Sequence, residues 1–375
     1  MTDNDNIYNI EDDFHASDRK ASKKQRKLAS KNDRSKYKKS DQDQIKKNEG
    51  LKNLSSEHLL KGRVLCIRPE EIIIDHEGSL ISTTLKGSLK QEKKLLKNLL
   101  AVGDFVHFEQ RGSEAVICDI LPRNSVLSRA DNLSRKKEQI IATNIDQVII
   151  TCSVVSPALK TPLIDRYIIA AKKGNMTPIV VVNKIDLLES YPSNMNPVDV
   201  EVDKELFEEL FKTYRNLGIK TIAVSTKTKQ GIDELKAAMK GKTSVFSGQS
   251  GVGKSSLINS TFGTTLNVGG IVERTQKGSH TTSSTSLIPI EEGGFCVDTP
   301  GIKSFGIWDL SFNEVQEYFD EIKKESANCY YQDCKHLLEP SCNVKEAVEQ
   351  GKISPLRFES YCALMASLSQ EHRKR

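Results

Sequence analysis

The stretch Gly248-Gln249-Ser250-Gly251-Val252-Gly253-Lys254-Ser255 constrains this chain more than any other. It matches the phosphate-loop pattern GxxxxGK[ST] at every fixed position. Backbone N–H groups must wrap closely around phosphate oxygens in such a loop, and side chains at the glycine positions would block that approach. Lys254 offers a positive charge to terminal phosphates, the Ser255 hydroxyl can ligate Mg²⁺, and Ser256 carries the loop into a helix read from SSLINSTF. The helix N-terminus adds a dipole that favours anions. A strand read from Ser244–Ser247 leads into the loop, so this part of the chain is expected to be an α/β nucleotide-binding domain.

A second nucleotide signal precedes the first. Asn183-Lys184-Ile185-Asp186 follows the β-branched run Val180-Val181-Val182. Asp186 is placed to accept hydrogen bonds from guanine N1–H and the exocyclic amine. Adenine has an acceptor at N1 and no amine there, and a carboxylate left unpaired costs at least ~1–3 kcal/mol. NKxD is short and weak alone, but specific beside a phosphate loop. Ser225-Thr226, in AVSTKT, is the candidate segment behind the base. Downstream, Asp298-Thr299-Pro300-Gly301 offers a carboxylate to hold Mg²⁺ through water and a glycine N–H for the γ-phosphate. The next residue is Ile302, where Ras-like GTPases carry a water-orienting Gln. Slow unaided hydrolysis is expected, or a substitute. His280, between the phosphate loop and Asp298, is the candidate catalytic residue, and Thr281 and Thr282 are candidates for closing the Mg²⁺ shell.

From about Asn132, strands alternate with helices. Strands are read at Gln147–Ser153, Pro178–Val182, Thr221–Val224, Ser244–Ser247 and Phe295–Val297. A helix is expected from Thr161, as N-cap, to Gly174, with Leu163, Ile164, Tyr167, Ile168 and Ala171 on one face; another spans Asp203–Leu217 and closes at Gly218. The alternation predicts a mostly parallel sheet with helices on both faces. Each motif then lies at the carboxyl end of a strand, where ligands bind in such sheets.

Residues 58–124 read differently. Five short strand-like runs, from Gly62–Arg68 to EAVICDILP, suggest a small all-β barrel, and the OB-fold has five strands. Residues 1–57 have almost no apolar periodicity. Between Arg19 and Lys47 stand 13 Lys/Arg against 3 Asp, a local net charge of +10 in a chain of +5 overall. Such a segment cannot bury enough surface to offset its ordering entropy and is read as a disordered basic tail. It is either a solubilising tail or an arm for nucleic-acid phosphate.

Eight cysteines occur in the 375 residues. Cys329-x4-Cys334-x-His336-x5-Cys342 gathers three thiols and an imidazole, the closed set of a structural Zn²⁺ site. Cys66, Cys118, Cys152, Cys296 and Cys362 are scattered and are read as core. The polar N-terminus has no signal-peptide pattern and no apolar run reaches 18 residues. A cytoplasmic protein without a membrane span is therefore expected, and nothing points to an obligate partner chain, so a monomer.

NKID before the phosphate loop before DTPG, a strand-rich N-terminal barrel, and a Cys3His cluster after the nucleotide domain closely resemble the RsgA (YjeQ) family of circularly permuted GTPases. The resemblance covers about residues 58–370. Beyond the tail 1–57, which lies outside it, it implies a multidomain chain: OB-fold RNA-binding domain 58–124, permuted α/β P-loop GTPase domain 125–313, and a small α-helical zinc-binding domain 314–375. It also implies binding of GTP and GDP with Mg²⁺, one structural Zn²⁺, and binding to the small (30S) ribosomal subunit and its rRNA late in assembly, with GTP hydrolysis driving release. By match of position, His280 is implied as the switch histidine. The switch reads His-Thr-Thr-Ser where the family usually has a third Thr, so Thr281 and Thr282 both remain candidates for Mg²⁺. Two alternatives stay open: a GTPase acting on another RNA such as tRNA, or an RNA-binding module with a structural nucleotide site.

Overall fold

The computed structural model describes residues 59–90, 98–112, 114–131, 134–191, 197–262, 285–291, 293–298 and 312–373. The basic tail, the switch residues His280, Thr281 and Thr282, and Thr299 to Gly301 lie outside the described residues.

Five strands form the N-terminal barrel: β1 (Leu60–Ile67), β2 (Ile72–His76), β3 (Ser79–Leu85), β4 (Phe105–Arg111) and β5 (Glu114–Ile120). Their order is β1-β2-β3-β5-β4, closed by β4 pairing with β1. Every pairing is antiparallel except β3 with β5. That is the closed five-stranded Greek key expected of an OB-fold. Val64, Ile74, Val106, Phe108 and Ile117 are fully buried inside it. A hairpin of β6 (Val126–Asp131) and β7 (Ser134–Thr143) follows as a separate two-stranded sheet. It went unread in the sequence because its strands are polar and charged, without the apolar alternation that marks a half-buried strand.

The nucleotide domain is built on β8 (Gln147–Ser153), β9 (Thr177–Asn183), β10 (Lys220–Ala223), β11 (Lys242–Gly248), β12 (Ser286–Pro289) and β13 (Gly294–Asp298). The order is β10-β9-β8-β11-β13-β12, parallel except for β12. All seven residues of β8 are buried, as in a central parallel strand covered on both faces. Helices α1 (Thr161–Lys173), α2 (Pro197–Asn216), α3 (Ile232–Met239) and α4 (Lys254–Phe262) supply the cover. Two expectations are corrected. Thr161 does not cap α1: Lys160 holds the extended cap position without a side-chain bond, and Thr161 is the first helical residue, beside Pro162. Helix α2 begins at Pro197, not Asp203; its early turns hold Val198, Val200 and Val202, whose β-branching hid the helical signal. Gly218 does end α2, at φ +71, with the Ile219 N–H returning to the Tyr214 carbonyl at 2.9 Å.

Barrel and sheet share a seam where Cys66 of β1 pairs with Ser286 of β12. Buried Arg63 locks it, donating from Nη1 to Thr243 Oγ1 at 2.8 Å and from Nη2 to the Asn144 carbonyl at 2.7 Å. Its guanidinium also sits over the Phe105 and Phe295 rings, at 5.1 and 4.8 Å. Nearby, fully buried Asp104 accepts bonds from Arg123, Thr143 and the Ala101 N–H, so its charge is satisfied on both oxygens.

The C-terminal lobe contains α5 (Phe312–Glu317), α6 (Asp320–Ser326), α7 (Asn343–Glu349) and α8 (Pro355–Arg373). Val315, Phe319, Ile322, Val344, Tyr361 and Met365 form its core, and Ile169 of α1 completes it. Helix α1 thus packs its long apolar face on the sheet and a second, narrower face on this lobe.

Candidate nucleotide and metal sites

Strand β11 ends at Gly248, whose φ is +140 and where a Cβ would lie 2.0 Å from the Thr151 carbonyl oxygen. Only glycine lets the chain leave the sheet there. Gly251 and Gly253 also have positive φ, at 84 and 90. The loop through Gln249, Ser250 and Val252 feeds into α4 at Lys254, with Ser255 and Ser256 in the first turn. Lys254 Nζ donates to the carbonyls of Gly248 and Gln249, both at 2.8 Å, so its ammonium lies across the mouth of its own loop.

The structure brings NKID to this loop. Asn183 is the last residue of β9 and its Nδ2 donates to the Val252 carbonyl at 2.9 Å. Lys184, at a left-handed φ of 65, donates from Nζ to the Gly251 carbonyl at 2.8 Å and to the Ser156 carbonyl. Sequence reasoning gave these two residues no separate role. They are braces holding the phosphate loop against the base-side loop, and the precursor signal is their fixed place at a strand end. Asp186 points its carboxylate elsewhere: Oδ1 accepts from Ser225 Oγ at 2.6 Å. Ser225 is buried, follows β10, and also accepts the Thr228 N–H at 3.1 Å. Its hydroxyl therefore fixes the rotation of the Asp186 carboxylate, and half-buried Thr226 lies next in the chain. Asp298 ends β13, the strand beside β11. Asn183, Ser225, Gly248 and Asp298 thus stand at or just past the carboxyl ends of four parallel strands, although they come from chain positions in an unusual order.

The second site is the Cys3His cluster. The Sγ atoms of Cys329, Cys334 and Cys342 and a ring nitrogen of His336 all lie within 4.8 Å of one another. His336 Nδ1 is 3.4 Å from Cys342 Sγ and 3.6 Å from Cys329 Sγ, and those two sulfurs are 3.9 Å apart. A tetrahedral ion with bonds of about 2.3 Å to sulfur and about 2.0 Å to nitrogen requires edges of roughly 3.8 and 3.5 Å. The three separations among Cys329, His336 and Cys342 match those edges, and Cys334 lies close enough to complete the set. Burial pushes the Cys334 thiol up to about 12 and lowers the His336 imidazole below its usual value. The imidazole is therefore held neutral, as a ligand must be, and a dication bound there would stabilise the thiolate and release the thiol proton to solvent. The ligand loop is shaped by Glu339. Burial pushes its carboxyl up, but N–H bonds outweigh this and hold it low. The N–H groups of Lys335, Leu337 and Leu338 donate to its oxygens at 3.0, 2.9 and 3.1 Å. Tyr361 of α8 closes the other side, donating to the Lys335 carbonyl at 3.2 Å. Of the remaining cysteines, Cys66, Cys152 and Cys296 are buried, whereas Cys118 and Cys362 are half-buried.

A family model for the RsgA GTPase matches residues 120–308. The small ribosomal subunit biogenesis GTPase RsgA of Actinobacillus succinogenes is 38% identical over 282 residues, covering 74% of this chain and 77% of that one. Its namesake from Shewanella oneidensis is 39% identical over 267 residues, covering 70% and 71%. Among solved structures, YjeQ from Thermotoga maritima superposes with a TM-score of 0.65 at 31% identity, over 83% of this chain and 98% of that one. YloQ, described as a circularly permuted GTPase, gives 0.63 at 25% identity, over 84% and 96%. The permuted order of motifs, the sheet that reunites them and the extent of these matches lead to one assignment: the chain belongs to the RsgA GTPase family.

Proposed function

We propose that the protein is a Mg²⁺-dependent GTPase that binds the small ribosomal subunit, assists its late maturation, and uses hydrolysis of GTP to GDP and phosphate to drive its own release. The observation that carries this reading is the Asp186 carboxylate, fixed by Ser225 at 2.6 Å, on a loop whose neighbours Asn183 and Lys184 are bonded to the phosphate loop. A base reader and a phosphate cradle tied together this way suit one guanine nucleotide. The names of the relatives supply the ribosomal partner.

In this reading Gly248 to Ser256 cradle the phosphates, and the Lys254 ammonium neutralises their charge. Ser225 and Thr226 back the base. Asp298 holds Mg²⁺ through water, and the Gly301 N–H meets the γ-phosphate. Ile302 cannot orient a water, so His280 does, with Thr281 or Thr282 completing the Mg²⁺ shell; the chain order between α4 and β12 supports this placement. The ion at Cys329, Cys334, His336 and Cys342 is Zn²⁺, because three thiolates and an imidazole in tetrahedral array suit it best. It supplies cross-linking of the lobe, not chemistry. The barrel (58–124) and the zinc domain (314–375) grip rRNA, with the GTPase domain (125–313) between them and the tail (1–57) as an electrostatic arm. The protein works as a monomer, since the sequence itself carries every motif that the nucleotide site calls for. Among the described residues no helix is long and apolar enough to cross a membrane, in keeping with work in the cytoplasm.

The test is the GTPase rate with and without isolated small subunits, at salt low enough to preserve basic contacts. Stimulation is expected, and its absence removes the ribosomal assignment. Single-turnover hydrolysis by His280→Ala separates an enzyme from a binding module: a large drop is expected, and equal, negligible rates for variant and wild type favour the module.

A further inference from the structure

Helix α1 touches both the phosphate loop and the C-terminal lobe. At its N-terminal end Leu163, Ile164 and Tyr167 line one cavity wall with Gly248, Gln249 and Val252 of the phosphate loop. The loop entering α1 is tied to the same place, because Lys184 Nζ bridges the Ser156 and Gly251 carbonyls. On its other face Asp165, which is fully buried, accepts a hydrogen bond from Arg357 Nη1 of α8, whose side chain is 4% exposed. Arg357 Nε donates to Glu321 at 2.6 Å and the guanidinium lies 4.1 Å from the centre of the Phe319 ring. The Tyr214 hydroxyl donates to Asp165 Oδ1 at 2.7 Å. The contact is extended by Ile169 in the lobe core and by Arg166 Nη2 to Ser367 Oγ at 3.2 Å.

A buried ion pair is a poor way to gain stability, since desolvation offsets most of the attraction and apolar residues often serve as well. What it does provide is direction. A planar guanidinium held by two carboxylates and an aromatic face permits one register of α8 on α1, where an apolar contact would permit sliding. We propose that Arg357 is a positioning residue for the nucleotide site: it locks the metal-binding lobe to α1, so that nucleotide at the phosphate loop and load on the lobe reach each other through α1. The route is lateral, across packed helices, and does not depend on the chain joining β13 to α5. It rests on the reading that the phosphate loop binds guanine nucleotide.

The test uses the full chain and four proteins: wild type, Asp165→Asn, Arg357→Met, and the double variant. Asparagine keeps an acceptor for Tyr214, and methionine keeps a stem over Phe319. Asp165→Asn leaves Arg357 its bond to Glu321, whereas Arg357→Met leaves fully buried Asp165 uncompensated. The double variant removes that stranded charge and frees only the less buried Glu321, so its thermal midpoint is expected to recover from that of Arg357→Met towards wild type. Affinity for a fluorescent GDP analogue is expected to fall at least about fivefold in the double variant despite that recovery, within the usual range of coupling between sites. Amide exchange supplies the second readout: saturating GDP slows exchange across residues 355–373 in wild type and leaves it unchanged in the double variant. If affinity returns with the thermal midpoint, the pair only stabilises the fold and the proposal is overturned. It is also overturned if wild type binds GDP with no change in α8, and the GTP-binding reading then survives. Failure of wild type to bind GDP at all removes both.

Discussion

Replacing Ser225 by alanine probes the proposed base reader, Asp186, with one atom. The Ser225 hydroxyl donates to Asp186 Oδ1 at 2.6 Å and accepts the Thr228 N–H at 3.1 Å, on a residue with no exposed surface. Its removal deletes a hydrogen bond to a charged group, a change of about 1.5–3 kcal/mol, and strands a backbone donor. Part of that loss falls on the free protein as well. The share that reaches binding is the cost of re-fixing a carboxylate that can now rotate. Taking between half and all of the larger figure, GDP and GTP affinity fall by about 10- to 100-fold, at about 1.4 kcal/mol for each factor of ten. The phosphate end does not use this bond, so kcat at saturating GTP stays close to wild type. Adenine nucleotides never use it, so ADP affinity is unchanged and guanine selectivity narrows by the same factor. A fluorescent GDP titration with unlabelled GTP, GDP and ADP as competitors measures all of this, and Ser225→Thr, which keeps a hydroxyl, serves as the control. Unchanged GDP affinity in Ser225→Ala, or an equal loss for GDP and ADP, would refute the assignment of Asp186 as the base reader.

Gly248→Ala places a Cβ 2.0 Å from the Thr151 carbonyl at φ +140. The backbone must move, at a cost of at least ~1–3 kcal/mol, so nucleotide binding is expected to vanish in a folded protein with normal barrel circular dichroism; retained GDP binding would contradict the fit. The C-terminal lobe is expected to weaken in acid. Burial depresses the His336 imidazole below 6.5, so the unfolded state takes up the proton first and stability falls as pH drops below about 6.5. Competition of protons with metal acts in the same direction, and metal content and tyrosine circular dichroism followed from about pH 8 to 5 check it; a flat profile contradicts it. Deleting residues 1–57 is expected to flatten the dependence of subunit affinity on salt, because 13 Lys/Arg leave between Arg19 and Lys47; an unchanged slope rules out the electrostatic arm.

Some features were legible because they need no partner. A phosphate loop is recognisable from glycines that only a tight backbone cradle requires, and the Cys3His cluster from ligands close enough in sequence to close one loop. The barrel was legible as five short runs, but its identity needed the parallel pairing of β3 with β5, a contact between distant strands. The roles of Asn183 and Lys184 were not legible, since what they hold, Val252 and Gly251, lies more than sixty residues on. The buried pair of Asp165 and Arg357 left one faint sign. Asp165 interrupts the apolar run of α1 at a position that faces inward, and its partner stands 192 residues away.

Residue type and spacing alone marked the candidate chemistry of the chain: the phosphate-loop pattern, the NKID tetrapeptide, the Cys3His set, and their permuted order. These are local, because each is set by residue type and spacing within a few turns of backbone. The tertiary structure decided where that chemistry meets. Parallel strands β8, β9, β10, β11 and β13 bring their carboxyl ends to one edge whatever order the chain visits them. It also decided what the C-terminal lobe rests on. That lobe packs on α1, the helix whose other face lines the phosphate loop, and such a contact forms only when both helices have buried their apolar faces.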